Sequence, residues 1–367
     1  MRIILSNASP YWGGVHTITE ALLLGLQKRG HEVVVFCRPN SRLEQRLSGM
    51  APLEPILRGM DLSPVVGWRV ARALRRHRPD VMLTLTKKDV RLSSPVARLM
   101  GVPVVVRHAN DQPLGRSWYY RMLYGVIPAH HVTNAEATRM TLLRSAPWLK
   151  GEDISVIQNG IDIPAFDAAP RAALDTSDDD IVIGYLGSLE PRKGVLDLAQ
   201  AWRDVADTIR NATLVIAGSG SQEDEIRSAL ADAPRSRMLG YRPDAASVIK
   251  AFDVLVLPSY VEGAPNVVQE AMLAEKPVIA TAVSGTPELV EDGVTGLLVP
   301  PRSPTRIAES IITLCRDAGL RERMGHAGRE TAVRKFGLER MLDRYEAVLQ
   351  RAARARVTLP ITPSLAR

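Results

Sequence analysis

Two carboxylates separated by seven residues, Glu262 and Glu270, frame the stretch Ser259–Pro277 and have the spacing to serve one small ligand. The apolar run Asp253–Pro258 ahead of them reads as a buried strand, and Val267, Val268, Ala271 and Met272 give the following residues a helical apolar face. Gly263 permits the turn between strand and helix, and Pro265 suits the first helical position. A helix N-terminus formed by Gly263, Ala264, Pro265, Asn266 and Val267 offers unpaired amides and a positive partial charge, which suits a phosphate. Carboxylates beside such a site accept hydrogen bonds from sugar hydroxyls. The two residues alone also allow a general acid and base pair, or two solvated acids on an ordinary strand–turn–helix.

Three further features point to an anionic, phosphate-bearing ligand. Gly13 and Gly14 precede a helix, so bare amides can approach a diphosphate. The pair is not the Gly-x-Gly-x-x-Gly fingerprint, which disfavours NAD. Arg192 and Lys193 place two cations on a loop at a strand exit, where they can neutralise a leaving phosphate. Gly218-Ser-Gly220 opens another helix, where a nucleoside can lie close to the backbone. His108, at the edge of a strand and followed by Ala-Asn-Asp, is the best lone catalytic candidate. No Gly-x-Ser-x-Gly elbow, His-Glu-x-x-His or Gly-x-x-x-x-Gly-Lys-[Ser/Thr] loop occurs.

The elements that position these residues follow from the hydrophobic pattern. At 367 residues the chain fits two domains, and 46% apolar with 24% charged residues describes a globular protein. Strands at 3–5 and 32–37 flank a helix over Val15–Arg29, and further strands at Val81–Leu85, Val102–Arg107, 129–135 and 154–160 alternate with helices, as a parallel sheet requires. His108 then sits at the ligand-facing edge of an open parallel sheet. Ile163–Asp180, rich in Ala, Pro and Asp, reads as a linker. Strands at 181–186, 213–217, 238–239, 253–258, 277–281 and 292–299 restart the pattern. Helices over Ser303–Asp317, Leu320–Gly325 and Leu338–Arg351 close it, and the tail Arg354–Arg367 reads as frayed. No segment has the continuous apolar length of a spanning helix, and Met1-Arg-Ile-Ile-Leu-Ser reads as a first strand rather than a signal peptide. Cys37 and Cys315, far apart, suggest packed thiols in a reducing cytoplasm and no zinc site.

Taken together, these residues resemble the family-4 retaining glycosyltransferases of the GT-B fold. The resemblance runs through Gly13-Gly14-Val15, His108, Asn159-Gly160-Ile161-Asp162, Arg192-Lys193-Gly194, Gly218-Ser-Gly220, Glu262–Glu270, Pro277-Val-Ile, Ser284-Gly-Thr-Pro-Glu-Leu-Val290 and Asp292-Gly-Val-Thr-Gly-Leu-Leu. It implies an α/β chain of two Rossmann-like, doubly wound parallel-sheet domains facing each other across a cleft. The N-terminal, acceptor-binding domain would span 1–165, with a C-terminal helix at 338–353 packing back on it, and the nucleotide-sugar-binding domain 178–337. It further implies that Glu262 contacts the donor sugar hydroxyls, Glu270 the ribose hydroxyls, Arg192 and Lys193 the diphosphate, and that His108 lies beside the sugar. A retained α linkage follows from a front-face mechanism, in which protein cations stand in for a metal and no cofactor is needed. Ser188 replaces an Arg that the family often carries, Glu275 a usual Gly, and Ser284-Gly285 a usual Gly-Gly.

Charge bears on partners. Residues 1–168 carry 22 Lys/Arg against 13 Asp/Glu, while the whole chain has a net charge of +7. The excess gathers in Trp68–Arg78 and in Arg116–Tyr124, both basic with aromatics. No nucleic-acid-binding signature accompanies them, whereas an anionic membrane surface fits, as does a plain solvated helix face. The expectation is a cytoplasmic transferase, peripheral on the inner membrane face, that moves a sugar from a UDP- or GDP-linked donor to a glycan or lipid-linked acceptor in cell-surface polysaccharide synthesis. A nucleotide-sugar epimerase of the same fold and a non-catalytic binding module are the alternatives.

Overall fold

A computed structural model describes residues 1–10, 13–60, 63–177 and 179–354. The chain divides into two compact units, Met1–Gln158 together with the segment from Glu339, and Asn159–Leu338.

The first unit is built on β1 (Arg2–Asn7), β2 (Glu32–Cys37), β3 (Leu53–Glu54), β4 (Val81–Thr84), β5 (Val104–His108), β6 (His130–Thr133) and β7 (Ile154–Val156), in the order β3-β2-β1-β4-β5-β6-β7. The second uses β8 (Ile181–Leu186), β9 (Ala212–Ala217), β10 (Ser236–Gly240), β11 (Val254–Leu257), β12 (Val278–Thr281) and β13 (Gly296–Val299), ordered β10-β9-β8-β11-β12-β13. Every pairing between these strands is parallel. Helices therefore cover the sheets, and the central strands read as unbroken apolar runs such as Ile3-Ile-Leu5 and Val254-Leu-Val-Leu257, all buried. Each order reverses direction once, between β1 and β4 and between β8 and β11. Strands diverge from these two points, and their C-terminal exits there form a crevice for a ligand.

The helix Leu338–Arg354 carries Met341, Leu342, Tyr345, Val348, Leu349 and Ala352 on one buried face. Leu342 lies where a Cβ on Gly25 would be, and Tyr345 Oη receives a hydrogen bond from Arg107 Nε at 3.1 Å. Arg29 clamps the helix through Glu339 at 2.6 Å, Asp343 at 2.8 Å and Glu346 at 3.0 Å.

Local structure departs from the sequence expectation in four places. Ile163–Ala168, expected in an irregular linker, is a helix whose N-cap Asp162 accepts from the Ala165 amide at 3.1 Å. Pro265 is an N-cap residue in extended conformation rather than the first helical residue, and Gly263 turns without a positive φ. The short helix expected at Leu320–Gly325 is part of an 18-residue helix, Ala318–Lys335. The expected helix ends at Gly325, but Gly325 is required inside the longer one because a Cβ there would meet the Glu275 carbonyl oxygen at 2.2 Å. Short elements at Arg42–Leu47 and Leu53–Glu54 had no periodic signal. The expected frayed tail lies, after Arg354, outside the described residues. Among the described residues no helix is long and apolar enough to cross a membrane.

Candidate functional site

In the second unit the exits of β8 and β11 meet at the reversal point, and most of the sequence-marked residues gather there. The loop after β8 ends in Gly194 at φ +63, where a Cβ would also strike the Pro258 carbonyl oxygen at 2.1 Å, so only glycine fits. That contact sets the loop against the β11 exit, and the Tyr260 amide fastens it by donating to the Arg192 carbonyl at 2.8 Å. Lys193 Nζ is thereby brought 2.5 Å from Glu262 Oε1. The side chains of this pair are 13% and 6% exposed, so the ion pair is withdrawn from water. Ser259, fully buried, donates its hydroxyl to the same oxygen at 2.7 Å. Glu262 Oε2 has no partner among the described residues, which leaves an acceptor fixed in orientation and available to a hydroxyl.

The eight-residue helix Asn266–Leu273 follows. Its entry is held by Asn159, whose Nδ2 donates to Asn266 Oδ1 at 2.6 Å and to the Ala264 carbonyl at 3.3 Å. Val268, Ala271 and Met272 face inward as the periodicity predicts, Val267 is half-buried, and Gln269, outside the predicted face, is buried as well. Glu270 is partly buried, and burial pushes its carboxyl up to about 7. Neither its carboxylate nor the fully buried Gln269 amide has a partner among the described residues. A carboxyl in this state is poised to ionise when hydroxyl donors arrive.

Arg192 turns its guanidinium to Glu190 at 3.1 Å, half in solvent, so Lys193 alone of the two cations reaches Glu262. At Gly218 and Gly220 the neighbouring loop needs the space. Added Cβ atoms would meet the carbonyl oxygens of Gly187 at 1.8 Å and Leu189 at 2.3 Å. The two loops are tied by the Leu189 amide donating to Ser219 and the Gln222 amide donating to Leu189, both at 2.9 Å. Their close approach fixes the β8 exit.

In the first unit Gly13 caps the helix Gly14–Lys28 with extended backbone, both glycines are exposed, and the Gly13 carbonyl accepts from the His16 amide at 2.8 Å. The loop before them is braced from below. Asn7 Nδ2 donates to Thr19 Oγ1 at 2.8 Å, and its Oδ1 accepts from the Ser9 amide at 3.0 Å. Asp89, fully buried, accepts from the amides of Ala8 at 2.6 Å, Thr86 at 2.8 Å and Leu85 at 3.3 Å, joining the β1 and β4 exits. Asp89, Ser259 and Asn159 were not singled out as site groups from the sequence, because a buried acid, serine or amide carries no periodic signal.

His108 closes β5 and lies 3.0 Å through Nε2 from His131 Nδ1 on β6. Burial first, then the fields of His131, Lys87 and Arg107, hold His108 well below the ordinary histidine range, and His131 is pushed down to about 4 by burial. Both rings are neutral at pH 7. One ring donates to the other across this contact, in a direction set by the tautomers. The helix Pro64–His77 buries Val66, Val70, Ala73 and Leu74 and turns its arginines outward, with Arg72 stacked 5.6 Å over Trp68. Trp68, Arg69, Arg72, Arg76, Glu54 and Ile56 line an open groove of about 510 Å³. Among the described residues no group of three or more His, Cys, Asp or Glu could hold a metal.

The comparisons agree with this geometry. Residues 180–317 match the family described as "Glycosyl transferases group 1", and residues 12–164 match "Glycosyltransferase Family 4". The chain is 30% identical to alpha-maltose-1-phosphate synthase of Mycobacterium tuberculosis over 69% of its own length and 75% of that protein's. It is 28% identical to the lipopolysaccharide core biosynthesis glycosyltransferase LpsE of Rhizobium meliloti, covering 92% of this chain and 96% of LpsE. The crystal structure of Anabaena Alr3699/HepE in complex with UDP-glucose superposes with a TM-score of 0.81 at 21% identity, over 96% of this chain and all of that one.

Proposed function

The chain belongs to the family-4 glycosyltransferases of the GT-B fold, and on that premise we propose that it moves a sugar, with retention, from a nucleotide-diphosphate sugar to a glycan or lipid-linked acceptor in cell-surface polysaccharide synthesis. The observation that carries this reading is the Lys193–Glu262–Ser259 cluster at the β8/β11 reversal point, with the partnerless Glu270 on the helix that follows it. Glu262 Oε2 takes a hydroxyl of the donor sugar, and Glu270 the hydroxyls of the ribose. Lys193 and the amides at the start of Asn266–Leu273 meet the diphosphate. In the first unit the residues assigned to ligand binding are Gly13, Gly14 and His108, the last as a polar group for a sugar hydroxyl.

The reaction breaks the bond between the anomeric carbon and the phosphate oxygen and forms one to the acceptor oxygen on the same face. The acceptor's proton passes to the departing diphosphate. Negative charge grows on that diphosphate in the transition state, and each oriented donor there is worth about 3 kcal/mol. Ser259 and Lys193 together hold one oxygen of Glu262 and fix its orientation, so it binds rather than attacks. The reading assigns charge neutralisation to Lys193, with Arg192 able to swing from its exposed pairing with Glu190, and needs no metal or cofactor. No feature of the site favours the epimerase or the non-catalytic alternative.

UDP is the nucleotide favoured here, from the UDP-glucose complex of the superposing structure. The basic helix Pro64–His77, with Trp68 and Val65 exposed, is the surface assigned to a peripheral contact with an anionic membrane. Thermal-shift screening against UDP, GDP and their sugars tests the donor: a UDP-sugar that fails to raise Tm in the wild type, or raises it equally in Glu270→Ala, contradicts the assignment.

A further inference from the structure

The second basic and aromatic cluster, Arg116–Tyr124, folds in an unusual way. A single helical turn, Trp118–Arg121, runs into a π-helical turn, Met122–Val126, in which the Ile127 amide donates to the Met122 carbonyl at 3.1 Å. Such turns concentrate at functional sites. Here the wider turn aligns the side chains into a row of rings. Trp118 meets Tyr119 edge-on at 6.3 Å, Tyr119 meets Tyr120 edge-on at 6.0 Å, and Tyr120 stacks on Tyr124 at 6.0 Å with only 15° between planes. Tyr124 then lies 5.8 Å from the ring of His108.

Burial is graded along this row. Trp118 is 76% exposed, Tyr119 and Tyr120 are half-buried, and Tyr124 and His108 are buried. The exposed indole leaves an uncovered aromatic face at the head of the row. A pyranose suits it: the ring's C–H face is apolar and covers an aromatic face, while its hydroxyl rim seeks donors such as the exposed Arg116 and Arg121.

We propose that Trp118, Tyr119 and Tyr120 form a subsite for the acceptor glycan, stacking its sugar rings in a line that ends at His108. This rests on the transferase reading above and names the acceptor's chemistry as a chain of sugar rings rather than a small polar alcohol. A bilayer is the less suitable occupant, because the row runs inward toward His108 instead of presenting one outward apolar face.

The test uses the full-length protein labelled at its indole nitrogens, with phosphate-free lipopolysaccharide core oligosaccharide and phosphatidylglycerol vesicles as probes. The oligosaccharide should shift the Trp118 indole resonance, identified by its loss in Trp118→Phe, at millimolar concentration. Trp118→Ala should raise the KM for the oligosaccharide about tenfold with donor KM and Tm unchanged, and Trp118→Phe should recover most of the loss. An unshifted Trp118 resonance overturns the proposal, as does an unchanged acceptor KM in Trp118→Ala. Loss of vesicle binding alone in that variant would assign the row to the membrane and also overturn it. A wild type that shifts Trp118 with oligosaccharide but neither binds nor consumes any UDP- or GDP-sugar would instead refute the transferase reading and leave the glycan subsite standing.

Discussion

Asp89 in the first unit and Glu270 in the second are both carboxyl groups pushed up to about 7 by burial, and they differ in everything else. Asp89 spends its oxygens on three backbone amides that join the β1 and β4 exits. Glu270 has none. The same contrast holds at the two reversal points. One is braced by a carboxylate bonded to backbone amides. The other is held by side chains, Lys193 and Ser259 on Glu262, whose partners can be traded for those of a ligand. The same reversal of strand order thus carries a backbone brace in one sheet and a side-chain cluster in the other. A buried carboxylate marks a ligand site only where its partners are side chains or missing.

The largest expected effect separates these roles directly. Lys193→Ala and Glu262→Gln should each lower kcat by about 10²–10³, measured with saturating donor. Turnover unchanged in either variant would put the second reversal point on the same footing as the first. Asp89→Ala should do the opposite, removing about 3 kcal/mol of stability in urea denaturation by leaving three amides without an acceptor. A neutral outcome there would show that the β1 and β4 exits do not need their brace.

The third test concerns protons. A carboxyl whose folded pKa lies near 7 and whose unfolded value is that of an ordinary glutamate binds more protons folded than unfolded across that interval. Its stabilising contribution is complete below the unfolded value and falls away as pH rises through about 7. Glu270→Gln should therefore match the wild type near pH 5 and exceed it at pH 8 by on the order of 2 kcal/mol. Hydroxyl donors favour the ionised form, so UDP should bind the wild type more tightly as pH rises from 6 to 8, and calorimetry should find that dependence absent in Glu270→Gln. The smallest effect is expected of Asn159→Ala, which frees the entry of the helix Asn266–Leu273: about 1 kcal/mol, read as a several-fold rise in donor KM with little change in Tm.

The sequence was legible where chemistry repeats along the chain. Buried parallel strands give apolar runs, and the run Val254–Leu257 with the face Val268, Ala271 and Met272 placed the central strand–turn–helix with only its cap misjudged at Pro265. It was illegible where a residue's reason lies in a neighbour distant in sequence. Nothing local to Gly218 and Gly220 reveals that a Cβ at either would strike the backbone of Gly187 or Leu189. Arg192 and Lys193 are adjacent in sequence and diverge in space, one toward Glu190 and the other toward Glu262. Gly325 looked like a helix stop because nothing local reveals the Glu275 carbonyl against it. Glu275 itself stands at φ +59, where glycine would be relaxed, and is secured there by His326 at 3.2 Å and Arg329 at 3.6 Å.

The helix Leu338–Arg354 has a consequence for how the protein is made. It belongs to the first unit, yet the ribosome delivers it after the whole of the second. Asn159–Leu338 is continuous and can close its core as soon as it has emerged. The first unit must wait with Arg107 lacking Tyr345 and with Arg29 lacking its three acidic partners. Domains commonly fold in the order of synthesis. In this chain the order of completion is inverted: the last segment of the unit that carries His108 emerges only after the whole of Asn159–Leu338.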